Sequence, residues 1–216
     1  MKRIVLIGAS GFVGSAIMEE ALNRGHEVTA IVRNPDKIST QSPWLIVKGA
    51  DVSTPEVVEE ISKGADVVIS AYNPGWTNPA IYEDTLKVYP AILDGVKKAG
   101  IERLLCVGGA GTLFASPGVR VMDSGVIPDN VMPGVKALGE FYLNILMNEK
   151  DIDWVFFSPA GTIAPGSRTG NFRLGKDDLI VDGNGNSRIS VEDYAMAMID
   201  EVEEPQHHKE RFTIGY

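Results

Sequence analysis

An apolar run, Arg3–Ile7, is broken by glycines and followed by a helical pattern over Val13–Asn23. The alternation then repeats. Runs rich in Val, Ile, Leu and Phe at Glu27–Arg33, Leu45–Val47, Asp66–Ala71, Arg103–Val107 and Trp154–Phe157 read as strands. Several are apolar at nearly every position, as strands covered on both faces must be. Pro55–Lys63, Pro79–Lys98 and Val135–Asn148 carry the helical spacing between them. In the last of these Val135, Leu138, Phe141, Tyr142, Ile145 and Leu146 share one stripe. Gly25 and Gly100 stand where helices end. This rhythm predicts an α/β protein with a single doubly wound parallel sheet, its ligand crevice at the carboxyl ends of the strands.

After Pro159 the rhythm breaks. Residues 158–190 are rich in Gly, Ser and Asp and are expected to form loops and a hairpin around the DGNGN of Asp182–Asn186. A last helix is expected from SVED, where Ser190 and Asp193 have capping-box spacing, and RFTIGY reads as a closing strand. The irregular part is too small for a domain of its own. Residues 1–216 are therefore read as one domain, with 158–190 as a lid or substrate-side wall.

The bulk numbers narrow the partners. The chain has 216 residues, 44 % of them hydrophobic, which suffices for a full core, and a formal net charge of -9. No basic cluster interrupts that charge, which argues against nucleic acid. No stretch approaches the roughly 20 apolar residues of a membrane span. The opening MKRIVLIGASG is too short in its apolar part to read as a leader, so a soluble cytoplasmic protein is expected. Cys106, the only cysteine, lies in the apolar RLLCVGG and reads as a small core residue. His26, His207 and His208 lack metal-ligand spacing, so no metal site is assigned; the pair in the acidic tail is expected to face solvent.

The strongest chemical signal is the loop Gly8-Ala9-Ser10-Gly11-Phe12-Val13-Gly14, placed between the first strand and the first helix. Glycines there allow a tight turn, close approach of backbone to a pyrophosphate, and close helix–strand packing. The helix start offers free amides and a positive dipole end. These features point to a dinucleotide and a Rossmann fold. At the end of the second strand, where a free ribose calls for a carboxylate, stand Arg33 and Asn34. An arginine there suits a 2′-phosphate, so NADPH is expected over NADH. Asp51 and Val52 after the third strand are placed to meet the adenine. Ser70, Ala71 and Tyr72 after the fourth are placed near the middle of the cofactor.

Taken together, GASGFVG, VRNPDK, GADV, VGGAG and VKALGE resemble the short-chain dehydrogenase/reductase superfamily in its extended and atypical branches. VGGAGTL, FFSPAGTIAPGSRTGNFRLG and ISVEDYAMAMI are similar to bacterial NAD(P)H-dependent flavin reductases, relatives of the flavin/biliverdin reductase type. The resemblance implies a catalytic Ser or Thr after the fifth strand and a Tyr-x-x-x-Lys on the next helix. Lys136 matches the lysine and would hold the nicotinamide ribose, but Met132 stands in the tyrosine's place. The serine positions read Gly108, Gly109 and Ala110, with no hydroxyl until Thr112. Thr112 and Lys136 are thus the remaining catalytic candidates.

A missing acid counts against carbonyl reduction and epimerisation, which need one in place. It does not count against hydride transfer to a flavin, whose proton can come from solvent. In the resemblance Ser158, Pro159 and Ala160 pass beside the nicotinamide, and Trp76, Tyr82 or Phe172 could stack on an acceptor such as FMN or riboflavin. Two alternatives stand beside this reading. One is a nucleotide-sugar epimerase or dehydratase using Tyr72, Tyr82 or Asp123 as its acid. The other is a cofactor-binding redox sensor of the NmrA type. A monomer or a homodimer is expected.

Overall fold

The computed structural model describes residues 1–216. In chain order it contains β1 (Arg3–Ile7), α1 (Phe12–Asn23), β2 (Glu27–Val32), β3 (Leu45–Gly49), α2 (Pro55–Ser62), β4 (Val67–Ser70), α3 (Ile81–Lys98) and β5 (Arg103–Val107). There follow β6 (Phe114–Ser116), β7 (Val119–Arg120), α4 (Met132–Glu140), β8 (Asp153–Ser158), β9 (Thr162–Ala164), β10 (Arg173–Gly175), β11 (Arg188–Ser190), α5 (Val191–Glu203) and β12 (Glu210–Gly215).

Eight strands form one sheet in the order β10-β12-β8-β5-β4-β1-β2-β3, parallel except for β10. The chain runs from β1 outward to β3, then crosses back to β4 on the other side of β1. That reversal opens a crevice above the carboxyl ends of β1 and β4. Side chains alternate between the two faces. Ile4, Leu6, Val155, Phe157, Phe212 and Ile214 join α1 and α5 in one core. Val5, Ile7, Leu104, Cys106, Trp154 and Phe156 join α2, α3 and the helical segment after α4 in the other. The doubly wound sheet read from the sequence is the observed one, and Cys106 is a fully buried core residue of β5.

Two elements differ from expectation for physical reasons. The helix expected over Val135–Asn148 starts earlier, at Met132, with Pro133 in its first turn, where a missing amide costs nothing. After Glu140 it widens into a π-turn over Phe141–Ile145 and then tightens over Leu146–Asn148. In that arrangement Phe141 packs 4.7 Å from Tyr89 and Tyr142 stacks 4.5 Å from Phe156. The expected hairpin around DGNGN is half right. Asp182 N donates to Asn186 O at 2.9 Å and closes the turn. Its flanks, however, pair elsewhere: β10 covers β12 antiparallel, and β11 runs parallel to β9. A short hairpin of β6 and β7, absent from the sequence reading, turns at Gly118.

Candidate functional site

The loop from β1 into α1 is fixed by two close approaches. Gly8 has φ +82, and a Cβ there would lie 2.4 Å from Ala71 O. A Cβ on Gly14 would lie 2.1 Å from Gly8 O. Gly11 caps α1 with no side-chain bond, and no acidic residue stands in the first turn. The amides of Phe12, Val13 and Gly14 donate to nothing in the chain. Unfilled donors, a bare dipole end and space for backbone approach are the features that seat a dinucleotide pyrophosphate.

A cavity of about 1230 Å³ opens at this point. Its walls come mainly from Gly11–Gly14, the segment 71–76 after β4, one face of α3, residues 107–112 at the end of β5 and beyond, the segment 121–128, one face of α4, residues 159–163 after β8, and the loop 182–188. Of the residues singled out in the sequence, Gly11, Phe12, Val13, Gly14, Ala71, Tyr72, Trp76, Gly108, Gly109, Ala110, Thr112, Pro159 and Ala160 line it. Gly8, Ala9 and Ser10 shape the turn without lining the cavity. Ser70 and Ser158 are fully buried at the ends of β4 and β8, with hydroxyls that meet no partner.

Arg33, Asn34, Asp51 and Val52 lie outside the cavity, after β2 and β3. Arg33 is exposed and forms no ion pair, so Asp36 does not neutralise it. Asn34 is partly committed: its Oδ1 accepts from Asp36 N at 3.0 Å. Asp51 Oδ1 accepts from Ser53 N at 2.9 Å, a bond that holds its carboxyl below the usual range, helped by Lys87 and Arg33. Val52 is buried.

The catalytic candidates are placed differently from the resemblance. Gly134, Val135, Leu138 and Gly139 form the face of α4 that meets the cavity, with Val131 just before the helix. Lys136 is exposed and does not line it. One residue along a helix is a rotation of about 100°, so with Val135 facing in, Lys136 turns away. Thr112 does line the cavity, but its Oγ1 accepts from Arg211 Nη1 at 2.8 Å. Arg211 also pairs with Asp177 and lies 4.9 Å from the Tyr142 ring, tying β12 beneath the cavity floor.

The walls carry no histidine, lysine, glutamate or cysteine. Burial pushes the Tyr72 phenol up to about 12, and that of Tyr89 higher still. Tyr89 is in any case spent on Tyr72 O at 2.9 Å. Asp182 is held below the usual range by the amides of Asn186 and Asn184. The site therefore lacks a group poised to exchange a proton near neutral pH.

It does offer apolar surface. Phe12, Trp76 and Val126 line the cavity while 48, 54 and 71 % exposed. Trp76 rests on α4, where a Cβ on Gly134 would come within 3.0 Å of its ring. The other aromatic candidates are elsewhere. Tyr82 donates to Glu140 at 2.7 Å, and Phe172 packs against the core on the α1 side. Asp123 is exposed and off the cavity. Val126 escaped the sequence reading, and Leu138 was legible only as one position of an apolar stripe, because only the folded chain brings them to the cavity of Gly11–Gly14; the 182–188 loop stands in the segment expected to form a substrate-side wall. The spacing of Gly134 and Gly139 on one helix was the available signal for close packing there.

The histidines correct an expectation. His208 is exposed, but His207 stacks on Phe212 at 4.0 Å, with Nδ1 2.7 Å from Glu201. His26 is buried against Glu203. No helix is long and apolar enough to cross a membrane.

Comparison with known proteins agrees with this geometry. The sequence model of a family described as NAD(P)H-binding matches residues 8–202. The chain is 40 % identical to the uncharacterised protein YwnB of Bacillus subtilis (strain 168), over 98 % of this chain and 97 % of that one. A crystal structure from Bacteroides thetaiotaomicron, of a protein provisionally named an epimerase, superposes with a TM-score of 0.95 at 67 % identity. That match covers 100 % of this chain and 97 % of the other. One from Streptococcus pneumoniae TIGR4, provisionally named an NADH-flavin reductase, has a TM-score of 0.86 at 33 % identity, covering 100 % and 99 %. The chain belongs to the NAD(P)H-binding family, an oxidoreductase-type Rossmann domain of the extended short-chain dehydrogenase/reductase, epimerase-like superfamily.

Proposed function

We propose that this protein is an NADPH-dependent reductase that passes hydride to a flavin or a similar planar conjugated acceptor. The observation that carries the reading is the cavity wall: exposed aromatic and aliphatic surface, and no acid or base working near neutral pH. Epimerisation and carbonyl reduction need a positioned proton donor, and neither Lys136 nor Met132 lines the cavity. The Streptococcus pneumoniae relative's name points the same way.

NADPH, when bound, supplies the hydride. The amides of Phe12, Val13 and Gly14 hold its phosphates, and Pro159 and Ala160 wall one side of the ring pocket. Phe12 and Trp76 offer flat surface to an acceptor, which aligns it and excludes water from one face. The accompanying proton comes from solvent. Catalysis here is alignment of two rings, which needs no tyrosine.

Arg33 supports the choice of NADPH. Its guanidinium is exposed and in no ion pair just after β2, the position from which an arginine can pair with a 2′-phosphate. Arg33→Gln is expected to weaken NADPH binding about tenfold, as loss of one charge-assisted bond at an exposed site should. NADH binding should stay within about twofold. Fluorescence titration with each nucleotide reads both.

The reading itself is tested by anaerobic mixing with NADPH and FMN or riboflavin, following loss of oxidised-flavin absorbance beside an NADH arm and a no-protein control. Catalytic bleaching, faster with NADPH, is the expected result. NADPH binding without bleaching of either flavin would overturn the reductase and favour a redox sensor.

A further inference from the structure

Only two charged side chains line the cavity, Asp182 and Arg188, and both belong to the 182–188 loop and the start of β11. Arg188 is held from two sides without being consumed. Its Nε lies 4.0 Å from Asp182 Oδ2, the limit of an ion pair. Its Cζ lies 5.9 Å from the centroid of the Tyr216 ring. Tyr216 N donates to Arg188 O at 3.1 Å, so the ring and the backbone it supports are tied together. The Asp182 carboxylate is occupied by its own turn, with Oδ1 accepting from Asn184 N at 2.8 Å and Asn186 N at 2.9 Å. The guanidinium fork makes no hydrogen bond, and the side chain is 65 % exposed. A planar fork so presented matches a phosphate or carboxylate in two-point contact.

Which anion it serves follows from its place. The cofactor's pyrophosphate already has the free amides of α1. Arg188 instead pairs in register with Thr162, beyond the Pro159–Ala160 wall. We propose that Arg188 selects acceptors carrying an anionic arm, a phosphate or a carboxylate, over neutral planar acceptors. This rests on the reductase reading for what the acceptor does, but not for whether it binds.

Equilibrium titration of the NADP⁺-loaded protein with FMN and with riboflavin tests the selection without requiring turnover. FMN is expected to bind the unaltered protein about tenfold more tightly than riboflavin, and Arg188→Gln to remove that preference. Arg188→Lys should restore part of it, since a point charge lacks the fork. Raising the salt should shrink it. NADPH binding should stay within about twofold in both variants, because the α1 amides hold the pyrophosphate. Equal affinity of the unaltered protein for the two flavins overturns the proposal, as does an FMN preference that survives Arg188→Gln. A loss of NADPH affinity instead of FMN affinity would give Arg188 to the cofactor. If FMN is preferred through Arg188 but neither flavin is bleached, the reductase reading fails and this assignment stands.

Discussion

Gly14→Ala is expected to lower NADPH affinity by at least about 100-fold, the scale reached when a binding geometry moves by an ångström. The added methyl would sit 2.1 Å from Gly8 O and 2.9 Å from Gly8 C, and these are backbone atoms that cannot rotate aside. Nor can the turn retreat. Gly8 N donates to Ile31 O at 2.9 Å, and Gly8 is itself pressed against Ala71 O. The first turn of α1 must move outward instead, taking the amides of Phe12 and Val13 with it. Overpacking of this kind costs about 1–3 kcal/mol of stability, which the fold can bear. Fluorescence titration with NADPH, beside a circular-dichroism melt, separates lost binding from lost folding. Ser15→Ala is the control: its Oγ donates only to Phe12 O at 3.2 Å, and the substitution should leave affinity within about threefold. A Gly14→Ala protein that binds NADPH normally would show that phosphates do not sit on this loop.

That loop was legible in the sequence because its determinants are local. A strand, three glycines and a helix start occupy consecutive positions, and each fixes its neighbour's geometry. The parallel sheet was legible for a related reason, since burial on both faces leaves β1, β4 and β5 almost wholly apolar. Other features depended on partners far along the chain. The DGNGN turn is encoded locally, but β11 pairs with β9, 26 residues away. No turn signal specifies that choice. Lys136 fitted a spacing, yet a spacing does not say which side of a helix faces the cavity. That follows from where α4 begins and from Gly134 seating against Ile81 and Trp76. His207 looked solvated among polar letters until Phe212 supplied a ring to stack on. Arg188 carried no signal at all, because only the fold makes it one of two charged side chains on a wall built from segments distant in sequence.

Asp193→Ala is expected to cost about 3 kcal/mol, because buried donors would lose a shared acceptor. Ser190 and Asp193 form half of the anticipated capping box: Ser190 Oγ accepts from Asp193 N at 3.1 Å. The carboxylate does not return the bond. Fully buried, it accepts from Thr169 N at 2.7 Å, Thr169 Oγ1 at 2.6 Å, Gly170 N at 2.9 Å and Tyr216 Oη at 2.7 Å. It thereby ties the 169–170 loop and Tyr216 to the start of α5. Burial alone would raise its pKa, but the bonds from Thr169, Gly170 and Tyr216 outweigh burial and hold it below the usual aspartate range. A depressed folded value adds stability that is present above the unfolded pKa and is lost as pH falls through the folded one. The deficit of Asp193→Ala should therefore be full at pH 7, about 6–12 °C in melting temperature for a chain of this size, and should shrink in acid below about pH 4. Glu20 and Glu203, also held low, keep their share of the acid dependence in the variant. Asp193→Asn retains an acceptor for the two amides and should lose about half as much. Urea melts of both variants at neutral and acid pH check the ranking. A deficit that does not change with pH would mean the carboxylate's charge contributes nothing. Because Tyr216 also lies beside Arg188, the same substitution should loosen the arginine and erode any preference for anionic acceptors, although Asp193 lies off the cavity.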